Sequence, residues 1–189
     1  MIDENVIANS DMGIEKLEVV KNAIELAPKG IFLEIGTRAG GTALMALRAS
    51  NSELLISIDP YGSKPYIDTN GVAPFVYPDE MYRSTLYKLS KEAIDTGKTF
   101  IQFKIPSQEY MTKNLNIWIL GKEIGTHDLK YSYVLLDGEH NDKTVSEEIE
   151  FFSRRMEESG VLLVDNIDWL SLDFSSWIKP RHDMAYRVF

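Results

Sequence analysis

Along the chain, short runs of consecutive apolar residues alternate with stretches in which apolar residues recur every three or four positions. The first pattern marks strands buried on both faces, the second amphipathic helices. From Met12 to Ala27, the residues Ile14, Leu17, Val20, Ile24 and Ala27 share one helical face, and Pro28-Lys29-Gly30 ends that helix. Ile31–Ile35 reads as a buried strand, Gly36–Gly41 as a glycine-rich turn, and Thr42–Ser50 as a helix with Leu44 and Leu47 inward. A second strand, Leu54–Ile58, ends at Asp59-Pro60. A loop rich in proline, glycine and aromatic residues (Tyr61, Tyr66, Phe75, Tyr77) runs to Pro78. Tyr82, Leu86, Leu89 and Ala93 mark a helix that stops near Gly97. The pattern then predicts a strand at Thr99–Phe103, a helix over Met111–Leu120 and a strand at Tyr133–Leu136. A helix with Val145, Ile149, Phe152 and Met156 on one face is expected to stop at Gly160, before a strand at Val161–Val164. The tail reads as a short helix around Leu170–Ile178 and a last strand at Ala185–Phe189.

This alternation defines an α/β protein, a doubly wound, mostly parallel sheet with helices on both faces. The 189 residues make one domain: an N-terminal helical segment (1–29), a core (30–169) and a C-terminal extension (170–189). With 20 basic against 29 acidic residues the net charge is −9, which speaks against nucleic acid and against an anionic membrane as partner. The acidic start, Met1-Ile2-Asp3-Glu4, lacks the pattern of a secretory signal, and the expected location is the cytoplasm. Zero cysteine removes disulfides, thiolate nucleophiles and sulfur-ligated metal centres. A homodimer stays open.

Ligands of open α/β sheets bind beyond the carboxyl ends of the strands. Four such ends carry acids here: Glu34, Asp59, Asp137 and Asp165. Gathered on one edge they repel, so each needs a partner. The first end opens the turn Glu34-Ile35-Gly36-Thr37-Arg38-Ala39-Gly40-Gly41-Thr42, in which Gly36, Thr37, Gly40 and Thr42 are binding candidates. Its glycine spacing departs from the dinucleotide fingerprint, because Arg38 stands where the second glycine belongs, and no phosphate-loop lysine follows. Asp59, 25 positions after Glu34, can accept two hydrogen bonds from a ribose diol. Ser107-Gln108 follows the third strand, with Ser107 equally readable as a helix N-cap. Asp137-Gly138-Glu139-His140 and Asp165-Asn166 follow adjacent strands. Two carboxylates and an amide oxygen make a hard donor set suited to Mg²⁺, and solvated turn aspartates are the plainer alternative.

The Glu34-x-Gly36-x-x-x-Gly40 form resembles the first motif of the class I S-adenosylmethionine-dependent methyltransferases, which share a Rossmann-like sheet. Asp137-Gly138-x-His140 and Val164-Asp165-Asn166 resemble the Mg²⁺-dependent O-methyltransferases of the catechol type and the macrolide-sugar and cephalosporin-hydroxylase-like group. The resemblance implies that Glu34, Gly36 and Gly40 border the methionine and ribose of S-adenosylmethionine, that Asp59 holds the ribose, and that Ser107 and Gln108 lie near adenine. It implies Asp137, Asp165 and Asn166 as metal ligands and His140 as the base. The expected activity is methyl transfer to a hydroxyl of a small molecule. A non-catalytic S-adenosylmethionine or partner binder, and a nucleotide-dependent oxidoreductase, remain as alternatives. The residues after Trp169 are short for a final antiparallel strand pair, which leaves open whether the seven-stranded sheet is complete.

Overall fold

The computed structural model describes residues 1–63, 77–119 and 121–189. Helices α1 (Glu4–Ala8) and α2 (Ile14–Leu26) lead into β1 (Gly30–Ile35), α3 (Gly41–Arg48) and β2 (Ser52–Ile58). Then come α4 (Asp79–Thr96), β3 (Thr99–Phe103), α5 (Ser107–Thr112), the strands β4 (Asn116–Ile119) and β5 (Lys122–Gly125), and β6 (Tyr131–Leu136). The chain ends with α6 (Asp142–Ser153), β7 (Met156–Asp165), β8 (Ile178–Arg181) and β9 (Met184–Val188).

Seven strands form one sheet in the order β3-β2-β1-β6-β7-β9-β8, and the sheet is complete. The first five run parallel, β9 runs antiparallel to β7, and β8 antiparallel to β9. Successive strand residues point to opposite faces, as the pleat requires. Phe32, Leu55, Leu135 and Leu163 enter a core with residues of α1, α2, α3 and α4. Their neighbours Leu33, Ile56, Val134 and Leu162 enter a second core with Tyr110 of α5 and Val145 and Phe152 of α6. Both faces are therefore covered, which is why the strands read as unbroken apolar runs.

Four sequence expectations are corrected. Met111–Leu120 is not one helix: α5 stops at Thr112, and β4 turns back into β5 through Gly121, whose φ of +77° suits the bend. Leu170–Ile178 holds no helix; a short 3-10 turn covers Ile167–Trp169, and Ile178 begins β8. Met156 belongs to β7, not to the preceding helix, and Ile14 is exposed although its spacing fits the buried face of α2. Helix α4 does stop at Gly97, which adopts a left-handed conformation (φ +68°) with nothing within 4 Å of an added Cβ. In the loop after β2, Tyr66 and Phe75 lie outside the described residues, while Tyr61 is buried against Tyr82 (ring centroids 5.2 Å apart).

Candidate active site at the carboxyl edge of the sheet

Strand register sets the site. Ile35 lies level with Ile58 and Leu136, and Leu136 with Val164. The next residues, Gly36, Asp59, Asp137 and Asp165, therefore stand side by side on the carboxyl edge. They line a cavity of about 890 Å³, together with Ser107, Gln108, His140, Asn166 and Trp169. Its opposite wall comes from Asp11, Met12, Gly13 and Lys16, ahead of and within the first turn of α2. Strand order puts Asp59 at one end of the cavity and Asp165 at the other.

Glu34 sits two residues further in than Gly36, opposite Ser57 and Leu135. It does not line the cavity. Its carboxyl lies under the glycine turn and accepts a hydrogen bond from Thr42 Oγ1, and its second oxygen is buried without a partner among the described residues. Burial pushes Glu34 up to about 8, with the Thr42 bond opposing and the Asp59 charge adding. Thr37, Gly40 and Thr42 also lie behind the cavity wall. Gly40 N–H donates to the Thr37 carbonyl (2.7 Å), and a Cβ on Gly41 would meet Ser10 and the Val6 carbonyl at 2.7 Å. These glycines let α1 and α4 approach the turn; Gly36 alone of the turn's glycines borders the cavity.

Asp59 holds the turn in shape. Its two oxygens accept the backbone N–H groups of Arg38 and Tyr61, each at 2.8 Å. Both residues have left-handed backbones (φ +47° and +39°), an arrangement that costs energy and needs such an anchor. The Tyr61 hydroxyl donates to the Arg38 carbonyl (2.8 Å), which Thr85 also reaches at 3.0 Å. Burial raises the Asp59 pKa against these two backbone bonds. Two of the four lone-pair positions of the carboxylate are used, so two remain for a ligand. Arg38 itself pairs with Asp11 (3.1 Å) and lies over Tyr77.

Ser107 is the first helical residue of α5, not its cap; Pro106 precedes it. Gln108 Nε2 donates to Thr144 Oγ1 (3.0 Å) and Glu139 Oε2 (3.2 Å). Behind them Glu148 is buried, with one oxygen unpartnered among the described residues. Burial pushes it from 4.5 up to about 8, against a bond from Ser107. In the unfolded chain Glu148 loses its proton near 4.5, in the fold near 8. Folding therefore takes up a proton between these values, and stability falls as pH rises from about 4.5 to about 8. Glu148→Gln is expected to leave the unfolding free energy, read from denaturant melts, nearly unchanged at pH 4.5 and to raise it at pH 8, by a few kcal/mol at about 1.4 kcal/mol per pKa unit. Equal shifts at the two pH values would refute this. Glu34 keeps part of the slope in the variant.

At the far end, Asp137 faces Asp165. Burial first, and the Asp165 charge second, hold Asp137 well above the usual carboxylate range. His140 Nε2 lies 3.6 Å from Asp137 Oδ1 and 3.2 Å from Asn166 Nδ2, and its ring meets Trp169 edge-on at 5.5 Å. Lys16 was absent from the sequence reading. Its Nζ donates to Asp165 Oδ1 (2.8 Å) and Asn166 Oδ1 (2.7 Å), and lies 3.3 Å from Asp183 Oδ2. Topology explains this: α2 starts at the carboxyl edge, and antiparallel β9 starts there too. No local motif could reveal a contact across 149 positions.

A seven-stranded sheet in this order, with an acid-lined cavity at its carboxyl edge, defines a class I methyltransferase architecture. The sequence matches the family described as "Methyltransferase domain" over residues 33–167, and the chain belongs to that family. No curated protein matches it. Among solved structures it is similar to CalS11, a calicheamicin methyltransferase (11% identity, TM-score 0.60, 92% of this chain and 77% of that one). It is also similar to the O-methyltransferase TomG from Streptomyces achromogenes, solved with SAM (14%, 0.55, 87% and 66%). An O-methyltransferase from Bacillus cereus, solved with SAH, is similar as well (10%, 0.53, 88% and 60%). The chain spans about three fifths to two thirds of the length of these last two. Among the described residues no helix is long and apolar enough to cross a membrane.

Proposed function

We propose that this chain transfers a methyl group from S-adenosylmethionine to a hydroxyl of a small molecule. The observation that carries the reading is one continuous cavity with a donor end at β1 and β2 and an acid–histidine end at β6 and β7. Its volume, about 890 Å³, falls in the range of small-molecule sites. Gly36 and Asp59 offer a close backbone approach and two free acceptor positions for a ribose, with Ser107 and Gln108 beside them. SAM in TomG and SAH in the Bacillus cereus enzyme support the choice of donor.

The transfer is an in-line displacement at the sulfonium methyl. The site must hold the acceptor oxygen about 3–3.5 Å from that carbon, opposite the sulfur. His140 then takes the acceptor's proton at Nε2, where the acceptor hydroxyl replaces the Asn166 amide as hydrogen-bond donor. A divalent cation, when bound, would hold the acceptor oxygen and weaken its proton. Asp137, Asp165 and Asn166 are oxygen donors of the right kind, yet the Lys16 ammonium already sits on the oxygens of two of them. As arranged the set does not receive a metal, and no step is assigned to one.

Calorimetry tests the donor. S-adenosylmethionine is expected to bind one per chain, and Asp59→Ala to weaken it at least about tenfold, the worth of a hydrogen bond to a charged group. No binding to the native chain would overturn the reading. NADH, titrated in parallel, is expected not to bind.

A further inference from the structure

Lys16 lies in the first turn of α2, mostly buried, on the cavity wall. All three hydrogens of its ammonium have acceptors within reach: Asp165 Oδ1, Asn166 Oδ1 and Asp183 Oδ2. Burial works against the charge, but the bond and charges from Asp165 and Asp183 outweigh it, and its pKa is raised. An ammonium can only donate. The Asn166 atom that meets it is therefore the amide oxygen, and the amide nitrogen faces His140 Nε2 at 3.2 Å. An amide nitrogen also only donates, so Nε2 is the nitrogen that carries the lone pair in the neutral ring.

We propose that Lys16 is the resident cation of the acceptor end: its ammonium takes the oxygens a divalent metal would need and, through Asn166, holds His140 in the tautomer with its lone pair on Nε2, a pair the acceptor hydroxyl takes over from the Asn166 amide, so that transfer runs without added metal. The inference rests on the methyltransferase reading for its use of His140, but its first half concerns cation binding alone. A divalent ion on Asp137 and Asp165 would stand within a few ångströms of the ammonium, unscreened in a buried setting. Removal of the ammonium leaves Asp165, Asp183 and the Asn166 oxygen around the space it held, with Asp137 beside Asp165. Lys16 acts on chemistry through Asn166 and is a positioning residue.

The test is Mn²⁺ binding to the purified full chain, read from the electron paramagnetic signal of free Mn²⁺. The native chain is expected to leave Mn²⁺ free up to millimolar concentration. Lys16→Met is expected to bind it at least about tenfold more tightly, as removal of a close like charge demands. Asp165→Asn added to Lys16→Met is expected to remove that gain. Submillimolar Mn²⁺ binding by the native chain that Asp165→Asn abolishes would overturn the proposal, and so would a Lys16→Met chain that binds no better than the native one. If Lys16→Met does not melt cooperatively, Lys16→Gln, which keeps a donor for Asn166 without the charge, takes its place. Nitrogen NMR of His140 reads the second half: Nε2 unprotonated in the neutral ring of the native chain, a changed tautomer mixture in the variant. An identical spectrum in both would remove the positioning role. S-adenosylmethionine calorimetry separates the two failures, because loss of donor binding sinks the methyltransferase reading and leaves the Mn²⁺ result standing.

Discussion

Gly36→Ala is expected to break both the fold at the carboxyl edge and donor binding. Gly36 has φ +89°, and an added Cβ would stand 1.8 Å from the Asp137 carbonyl oxygen. Neither side can yield cheaply. Gly36 N–H donates to the Ile58 carbonyl at 2.9 Å, and Asp137 N–H to the Ile35 carbonyl at 3.0 Å. Both bonds continue the ladders of the central strands, so the methyl group must pry β1 from β6. The cost is on the order of 3–5 kcal/mol, the range of severe single substitutions. Gly97→Ala supplies the comparison. It too needs a left-handed backbone, yet no atom lies near, and it should cost only about 1 kcal/mol. Thermal melts and S-adenosylmethionine calorimetry on both variants decide it. A Gly36→Ala chain as stable as Gly97→Ala would mean that β1 and β6 do not meet as described.

His140→Ala is expected to lower turnover by about 10²–10⁴-fold, the usual worth of a positioned general base. Donor affinity should stay within about twofold, since Asp59 and Gly36 lie two strands and one strand away from the β6–β7 end. His140 is buried, and its ring nitrogen is held between Asp137 and Asn166. A truncated side chain therefore removes the imidazole from the acceptor end, where burial and the Asp165 charge hold Asp137 well above the usual carboxylate range. The measurement uses the acceptor that turns over best in a panel of hydroxylated small molecules. A fall of less than tenfold would remove His140 as the base, and parallel loss of donor binding would mark it as structural.

The four inner parallel strands were legible because both faces of each are covered, so Leu33, Ile56, Val134 and Leu162 stand in apolar runs, while the edge strand β3 is only half-buried. The antiparallel strand β8 was not. Ile178-Lys179-Pro180-Arg181 is an edge strand with three exposed residues, and it leaves almost no apolar pattern to read. The stretch after α5 misled for a different reason. Met111, Leu115 and Ile119 recur at helical spacing and all pack against one core, but Ile117 is buried and Trp118 exposed, the alternation of a strand. At the site, Asp59, Asp137, His140, Asp165 and Asn166 followed from their places at strand ends, and all five line the cavity. Glu34 did not, because it stands two residues before Gly36 on β1, level with Ser57 and Leu135, and its carboxyl is buried beneath the mouth. Lys16 and Arg38 owe their roles to partners far along the chain, and nothing in their neighbours announces them.

The contact between Lys16 and the pair Asp165 and Asp183 also orders events during synthesis. A chain emerges from the ribosome N-terminus first, and its early segments can pack as they appear. Helix α2 and the first strands find one another within about sixty residues of sequence. The ammonium of Lys16 must wait for an aspartate 149 positions later and for another beyond it. Until both arrive it stays hydrated, and the acceptor end has neither its charge balance nor a fixed Asn166. A nascent or prematurely ended chain that stops before Asp183 would thus carry Lys16, Asp165 and Asn166 without the second aspartate that meets the ammonium.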